Sequence, residues 1–262
     1  MMEAALQVKD LCKTYVTNKR QNNVLKNVNF SVEKGEMAAV MGPSGSGKST
    51  LLYCVSGMDR PTAGEVLLGG QKITGLSEKK LAETRLHDMG FIFQQMHMLK
   101  NLTILDNIVL PAYQARKKDR SRQEIDEYGR SLLRKFEISE IADRDIMEVS
   151  GGQLQRACIC RSLMNHPEIL FADEPTGALN RGSSDEVMRE LNRCNAEGMT
   201  ILLVTHDMKV AAKCSRILYI VDGNIEGELS LGMVPQEVDL EETPVFRERE
   251  RKLNYWLNEM GW

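Results

Sequence analysis

The segment Gly42-Pro43-Ser44-Gly45-Ser46-Gly47-Lys48-Ser49-Thr50 fits the spacing G-x-x-x-x-G-K-[ST]. These residue types suit one task, the cradling of a chain of phosphates. Glycines let backbone N–H groups turn inward where a side chain would block the approach. Lys48 sets a compact positive charge against the β- and γ-phosphates, and the Ser49 hydroxyl suits Mg²⁺. The flanks agree. Met37-Ala38-Ala39-Val40-Met41 is a short apolar run that reads as a buried strand, and Ser49-Thr50-Leu51-Leu52-Tyr53 opens a helical pattern. A helix start beside the loop adds unpaired N–H groups and the positive end of its dipole.

A second group bears on what happens to the phosphates. Ile169-Leu170-Phe171-Ala172-Asp173-Glu174 is an apolar strand ending in two acids. Successive strand residues point to opposite sides, but a chain that splays at the strand end brings both acids to one site. Asp173 would hold Mg²⁺, directly or through water, and Glu174 would polarise an attacking water. Taken alone, the pair reads as the acidic start of a loop; beside the phosphate loop the chemical reading prevails. Val149-Ser150-Gly151-Gly152-Gln153 reads as a helix start, with Ser150 as the cap and two glycines baring N–H groups toward a phosphate.

These three motifs, in this order, resemble those of the ATP-binding-cassette (ABC) ATPases, and the resemblance runs from Leu6 to Glu228. It implies an α/β protein of the P-loop NTPase ABC ATPase fold: a mixed central sheet with an antiparallel β subdomain and an inserted α-helical subdomain. The ATP-binding domain would cover residues 1–231, with the helical subdomain near 95–165, and a C-terminal helical extension would cover 232–262. Two ATP–Mg²⁺ would lie in a homodimer, or in a heterodimer of which this chain is one half. Each would sit between residues 42–50 of one subunit and Ser150, Gly151, Gly152 and Gln153 of the other. Tyr15 matches the aromatic that stacks on adenine. Gln94, after Gly90-Phe91-Ile92-Phe93, matches the glutamine that reaches Mg²⁺ and the attacking water. His206, after Ile201-Leu202-Leu203-Val204-Thr205, matches the histidine that contacts the γ-phosphate. Catalysis would then rest on Glu174, His206, Lys48 and Gln94, and the metal on Ser49, Gln94 and Asp173. ATP hydrolysis would drive a separate transmembrane permease held near Gln94 and residues 98–111, at the cytoplasmic face of the cell membrane.

Ala172-Asp173-Glu174-Pro175-Thr176-Gly177-Ala178-Leu179 resembles the ATPases that serve permeases with large outer domains, which include macrolide exporters, lipoprotein-release machines, antimicrobial-peptide resistance transporters and a cell-division regulator. The end of the chain, Trp256-Leu257-Asn258-Glu259-Met260-Gly261-Trp262, resembles extensions of Gram-positive antimicrobial-peptide transporters. Three positions depart from the family pattern. Val149 and Leu154 replace the usual residues of the signature, and Asn180 stands where Asp is usual, keeping hydrogen bonding but not charge. The alternative to export is an ATPase regulator that signals through a permease-like partner. Soluble ABC proteins of DNA repair or translation fit less well, since coiled-coil insertions and tandem cassettes are lacking.

The elements that must position these residues follow from periodicity. Leu6-Gln7-Val8 and Val28-Asn29-Phe30-Ser31-Val32 alternate as half-exposed antiparallel strands. Ile201-Leu202-Leu203-Val204 and the run from Ile217 to Val221 read as buried strands, the latter closed by the turn Asp222-Gly223-Asn224. Residues 116–134 carry charges around Ile125, Tyr128, Leu132 and Leu133, with Phe136 beyond, which reads as a helix with a solvated face. Pro235 and Pro244 bracket the acidic residues 237–242. Then Phe246, Leu253, Leu257 and Met260, with Trp256 beside them, form one helix face. Docking on its own domain is the first reading of that face; a dimer, partner or membrane-surface contact is the alternative. His87, His97 and His166 read as structural.

Composition limits the classes. Among 262 residues, 34 basic against 37 acidic side chains leave a net charge of −3, which speaks against a nucleic-acid-coating chain. No apolar run exceeds five residues, and a membrane span needs about 20. The first residues lack the pattern of a signal peptide, so a cytosolic chain is expected. Cys12, Cys54, Cys158, Cys160, Cys194 and Cys214 have no metal-pair spacing and read as small buried residues of a reducing compartment.

Overall fold

The computed structural model describes residues 3–17, 20–115, 120–234 and 243–262. The alternating segments near the start form β1 (Ala4–Thr17) and β2 (Arg20–Glu33), an antiparallel pair. The run apolar at every position becomes β3 (Met37–Met41), followed by α1 (Lys48–Val55). β4 (Ala63–Leu68) and β5 (Gln71–Lys72) complete an antiparallel sheet of order β2-β1-β4-β5.

Next come α2 (Glu78–Asp88), β6 (Met89–Phe93), α3 (Ile104–Gln114), α4 (Arg122–Lys135) and α5 (Gly151–Leu163). The capping box of Ser121 and Glu124 starts α4 at Arg122, later than the charged run that suggests it. Residues 116–119 of that run lie outside the described residues. Ile125, Leu132 and Leu133 of α4 are buried, Tyr128 is half-buried, and Arg122, Arg130 and Arg134 face water.

The chain continues through β7 (Ile169–Asp173), α6 (Arg181–Ala196), β8 (Thr200–Val204), α7 (Met208–Ala212), β9 (Arg216–Val221), β10 (Asn224–Ser230) and α8 (Pro244–Glu259). The large sheet has the order β10-β9-β3-β8-β7-β6. Its strands are parallel except β10, which returns from β9 as a hairpin, so the sheet is mixed.

Strand alternation divides the interior into two cores. Met37, Ala39, Met41, Leu170, Ala172, Leu203 and Tyr219 face a core shared with α3 to α6 and α8. Ala38, Val40, Phe171, Val204 and Leu218 face the other, shared with the antiparallel sheet, α1 and α2. This is why the central strands are apolar throughout while β1 and β2 alternate. Cys54, Cys160, Cys194 and Cys214 lie in these cores, Cys158 is buried beside them and Cys12 is half-buried; all six are free. Burial pushes the Cys54, Cys194 and Cys214 thiols up to about 12, which keeps them uncharged.

α8 lies on α7 and the β9–β10 hairpin. Phe246, Leu253 and Leu257 are fully buried there, each contributing about 2 kcal/mol of apolar burial. Trp256 meets Tyr219 edge-on at 6.0 Å, and Gly227 leaves room for Trp256 and Met260. Among the charged residues 247–252 beside that face, Arg249 turns inward and is 6% exposed. The acidic residues 237–242, and Pro235 before them, lie outside the described residues.

Candidate functional site

The parallel strands β3, β8, β7 and β6 are neighbours, so their C-terminal ends lie along one edge of the sheet. That edge is where open α/β sheets bind ligands. β3 ends at the loop 42–47, β7 at Asp173 and Glu174, β8 shortly before His206, and β6 at Gln94. At Gly42 an added Cβ would come 2.1 Å from the Ile220 carbonyl, so only glycine passes. Gly47 caps α1 with φ 103°, a left-handed backbone.

Lys48 is the first residue of α1. Its Nζ donates to the Gly42 and Pro43 carbonyls, each at 2.8 Å, and so seats the ammonium inside the loop. Burial lowers its pKa, while the Glu174 and Asp173 carboxylates oppose that shift. Ser46 Oγ is buried in the same loop with no hydrogen-bond partner among the described residues, a polar atom that an anion in the loop would satisfy.

Asp173 is 7% exposed and both its oxygens are held from α1. Ser49 Oγ donates to Oδ1 at 3.0 Å, and the Tyr53 hydroxyl donates to Oδ2 at 2.8 Å. The hydroxyl and carboxylate oxygens of Ser49 and Asp173 are the hard donor set of a divalent cation such as Mg²⁺. Glu174 leaves the strand with φ 48°, and its N–H donates to the Val204 carbonyl at 3.0 Å. This turn sets its carboxylate 2.7 Å from His206 Nδ1. A Cβ on Gly177 would lie 3.1 Å from Gln94 Nε2 and 3.2 Å from Glu174 Oε2, so the two side chains converge over that glycine. The structure thus brings Lys48, Ser49, Asp173, Glu174, His206 and Gln94 to one edge.

Tyr15 is 38% exposed and borders an open cleft with Thr17, Arg20 and Asn22. Its hydroxyl donates to Asp59 Oδ2 at 2.6 Å. Lys13 Nζ donates to Asp59 Oδ1 at 2.6 Å and stands 4.6 Å from the Tyr15 ring centroid. Burial, and then Asp59, push the Tyr15 phenol up to about 12. The ring is therefore a fixed, neutral platform backed by a cation.

Ser150, Gly151, Gly152 and Gln153 are placed differently. Ser150 Oγ accepts from the Gln153 N–H at 3.3 Å, and Gln153 Oε1 accepts from the Ser150 N–H at 3.0 Å. This capping box occupies the Gln153 carboxamide, whose Nε2 also donates to Glu140. Gly151 and Gly152 instead pack closely against Leu179 and Ser183. Asn180 caps α6 by accepting from the Ser183 N–H at 3.0 Å, a duty that Asn and Asp perform equally well. The hydrogen bonds of Ser150 and Gln153 stay within the cap and with Glu140; they do not reach the P-loop of the same chain.

Of the histidines read as structural, His166 lies tilted against the Tyr128 ring at 4.7 Å and its pKa is lowered by burial. His97 meets the Phe93 ring edge-on, and His87 lies in the last turn of α2. The segment after Gln94 is pinned by residues that sequence reasoning missed. Asn107 is buried; its Oδ1 accepts from the Leu99 N–H, and its Nδ2 donates to the Leu99, Leu102 and Thr103 carbonyls. Arg161 donates to the Met96 and His97 carbonyls. Leu99 is left 51% exposed on this fixed loop. Tyr53, Asp59 and Lys13 were also missed. Only Tyr53 had a local signal, since it follows Ser49 at i+4 on one helix face.

Residues 25–177 match the sequence profile of the family described as ABC transporter. The chain is 38% identical over 245 residues to the macrolide export ATP-binding/permease protein MacB of a Shewanella species. That alignment covers 94% of this chain and 37% of the relative's length. In structure it is similar to a dimeric bacterial ABC transporter cassette, MJ0796, with TM-score 0.80 and 38% identity over 86% of this chain and 98% of the other. The same cassette in a post-hydrolysis state with ADP and Pi gives TM-score 0.80 at 37% identity, with the same coverage. The protein cbiO1 of Clostridium perfringens, part of the transporter complex cbiONQ, gives 0.78 at 26% identity over 99% of this chain and 98% of that one.

Proposed function

The chain belongs to the ABC transporter family as an ATP-binding protein, and from that premise we propose that it hydrolyses ATP to power a membrane permease. One observation carries this reading. Lys48, Ser49, Asp173, Glu174, His206 and Gln94 converge at the C-terminal ends of four adjacent parallel strands. ATP would lie with its adenine on Tyr15 and its phosphates in the loop 42–47, against Lys48 and the first N–H groups of α1. Ser49 and Asp173, with Gln94, would hold Mg²⁺. Bound there, the ion supplies charge neutralisation at the phosphate oxygens.

The remaining work falls to side chains. Glu174 orients water and takes its proton, and His206, held on Glu174, meets the charge developing on the γ-phosphate. Lys48 counters the same charge from the loop side. Ser150, Gly151, Gly152 and Gln153 form the other wall of the site across a dimer, which fits their lying apart from the P-loop of their own chain. ATP then belongs to the interface and favours the closed pair. Residues 1–231 form the ATP-binding domain in this reading, with a helical subdomain near 95–165 and an extension at 232–262.

The permease would rest near Gln94 and residues 98–111, where Asn107 and Arg161 hold the loop that exposes Leu99. Among the described residues, no helix is long and apolar enough to cross a membrane. A permease partner would hold this chain at the cytoplasmic face. Similarity to a macrolide exporter, and the tail with its two tryptophans, support export of antimicrobial peptides, lipids or drugs, or resistance to them. Reconstitution with the permease should raise ATP turnover and move substrate with each ATP consumed. Stimulation by DNA or ribosomes, but not by a permease, would overturn the reading.

Tyr15→Ala should weaken ATP binding about 5- to 150-fold, because stacking of a base on an aromatic ring contributes about 1–3 kcal/mol. Titration with a fluorescent ATP analogue checks this; an unchanged affinity removes Tyr15 from the site.

A further inference from the structure

α1 opens on the polar residues Lys48, Ser49 and Thr50 and continues as an apolar stretch in which Tyr53 carries the one hydroxyl. Leu51, Leu52, Cys54 and Val55 enter the core, while Tyr53 packs its ring against that core and sends its hydroxyl to Asp173, 120 residues further along the chain. Ser49 lies one turn earlier on the same face and takes the other oxygen of the same carboxylate. A carboxylate held at one oxygen can still turn about its last bond; held at both, it cannot.

We propose that Tyr53 is a positioning residue for the divalent cation. Its hydroxyl bond to Oδ2 keeps Asp173 Oδ1 turned toward Ser49, where the two form the cation's oxygen pair. This rests on the reading of Ser49 and Asp173 as the metal ligands. It adds that the affinity of the pair is set by a residue that does not touch the metal. Outer partners of this kind fix the ligand's orientation and satisfy its second oxygen, and their loss costs about 10- to 100-fold in metal affinity. Without Tyr53, a carboxylate oxygen in a nearly closed site would lose its partner.

The test uses the full chain with a non-hydrolysable ATP analogue, and Mn²⁺ as the probe, titrated by electron paramagnetic resonance. Tyr53→Phe keeps the ring and removes only the hydroxyl. The expected result is Mn²⁺ binding weakened about 10- to 100-fold, with affinity for the analogue in metal-free buffer unchanged. Mn²⁺ affinity within twofold of the parent overturns the proposal, provided that Ser49→Ala and Asp173→Asn do weaken it. If those two variants also leave Mn²⁺ binding unchanged, the metal-site reading itself falls. Should Tyr53→Phe not fold, Tyr53→Gln, which keeps a donor, is compared with Tyr53→Leu, which has none. Tighter Mn²⁺ binding by the Gln variant supports the proposal and equal affinities overturn it.

Discussion

Glu174→Gln should bring ATP turnover down about 100-fold or more while ATP-dependent dimers persist. Gln has the shape of Glu and can still accept from His206 Nδ1, so the 2.7 Å contact and the turn at residue 174 are retained. What disappears is the ability to take a proton from water. Positioned general bases contribute about 10²- to 10⁴-fold. The substitution also removes a negative charge near the loop that receives a polyanion, so nucleotide binding should not weaken. Phosphate release measured beside light scattering with and without ATP separates the two effects. Hydrolysis near the parent rate would remove Glu174 from the catalytic role.

The second large effect lies far from the phosphates. Arg249→Met should lower stability by about 3 kcal/mol or more, through the loss of charged hydrogen bonds to carbonyls left without partners. The guanidinium donates to Ala212 and Cys214 at the end of α7, at 2.8 and 2.6 Å. It also donates to Leu231, Gly232 and Met233 after β10. The bonds at α7 place a cation at a helix C-terminus, where the dipole favours it. Met keeps the apolar stem, so the loss isolates the charged head. Thermal unfolding should show a fall in Tm of about 6–12 °C for a chain of this size. A shift under 2 °C would mean that water replaces the guanidinium at little cost. Because α7 begins right after His206 and Asp207, the same variant is a sensitive place to look for altered ATP turnover.

What sequence revealed and what it hid follow from range. The loop 42–50 and the strand that ends in Asp173 are local patterns, in which period and residue type state the structure directly. The two-sided burial of β3, β7 and β8 was legible from their unbroken apolar runs. Strand order was not, since it depends on pairings between distant segments; only the resemblance supplied the architecture. The supports of the site were hidden for the same reason. Lys13 and Asp59 are 46 residues apart, Tyr53 and Asp173 are 120 apart, and Arg249 lies 37 from Ala212. The role of Arg249 was hidden because an arginine among charges reads as solvent-facing, and nothing local announces carbonyls in need of a donor. The box of Ser150 and Gln153 was legible in its spacing and was read only in part, as a cap.

The turn at Glu174 has a consequence for how such a site persists. A left-handed backbone at a residue with a Cβ costs about 1 kcal/mol or more, and glycine would be free of that strain. Folding alone therefore does not favour an acid there. In a lineage released from its chemical duty, drift would be biased toward losing this residue, because the fold would gain by the loss. On the proposed role of Glu174, an intact acid between β7 and Gly177 would mark selection on turnover rather than on architecture.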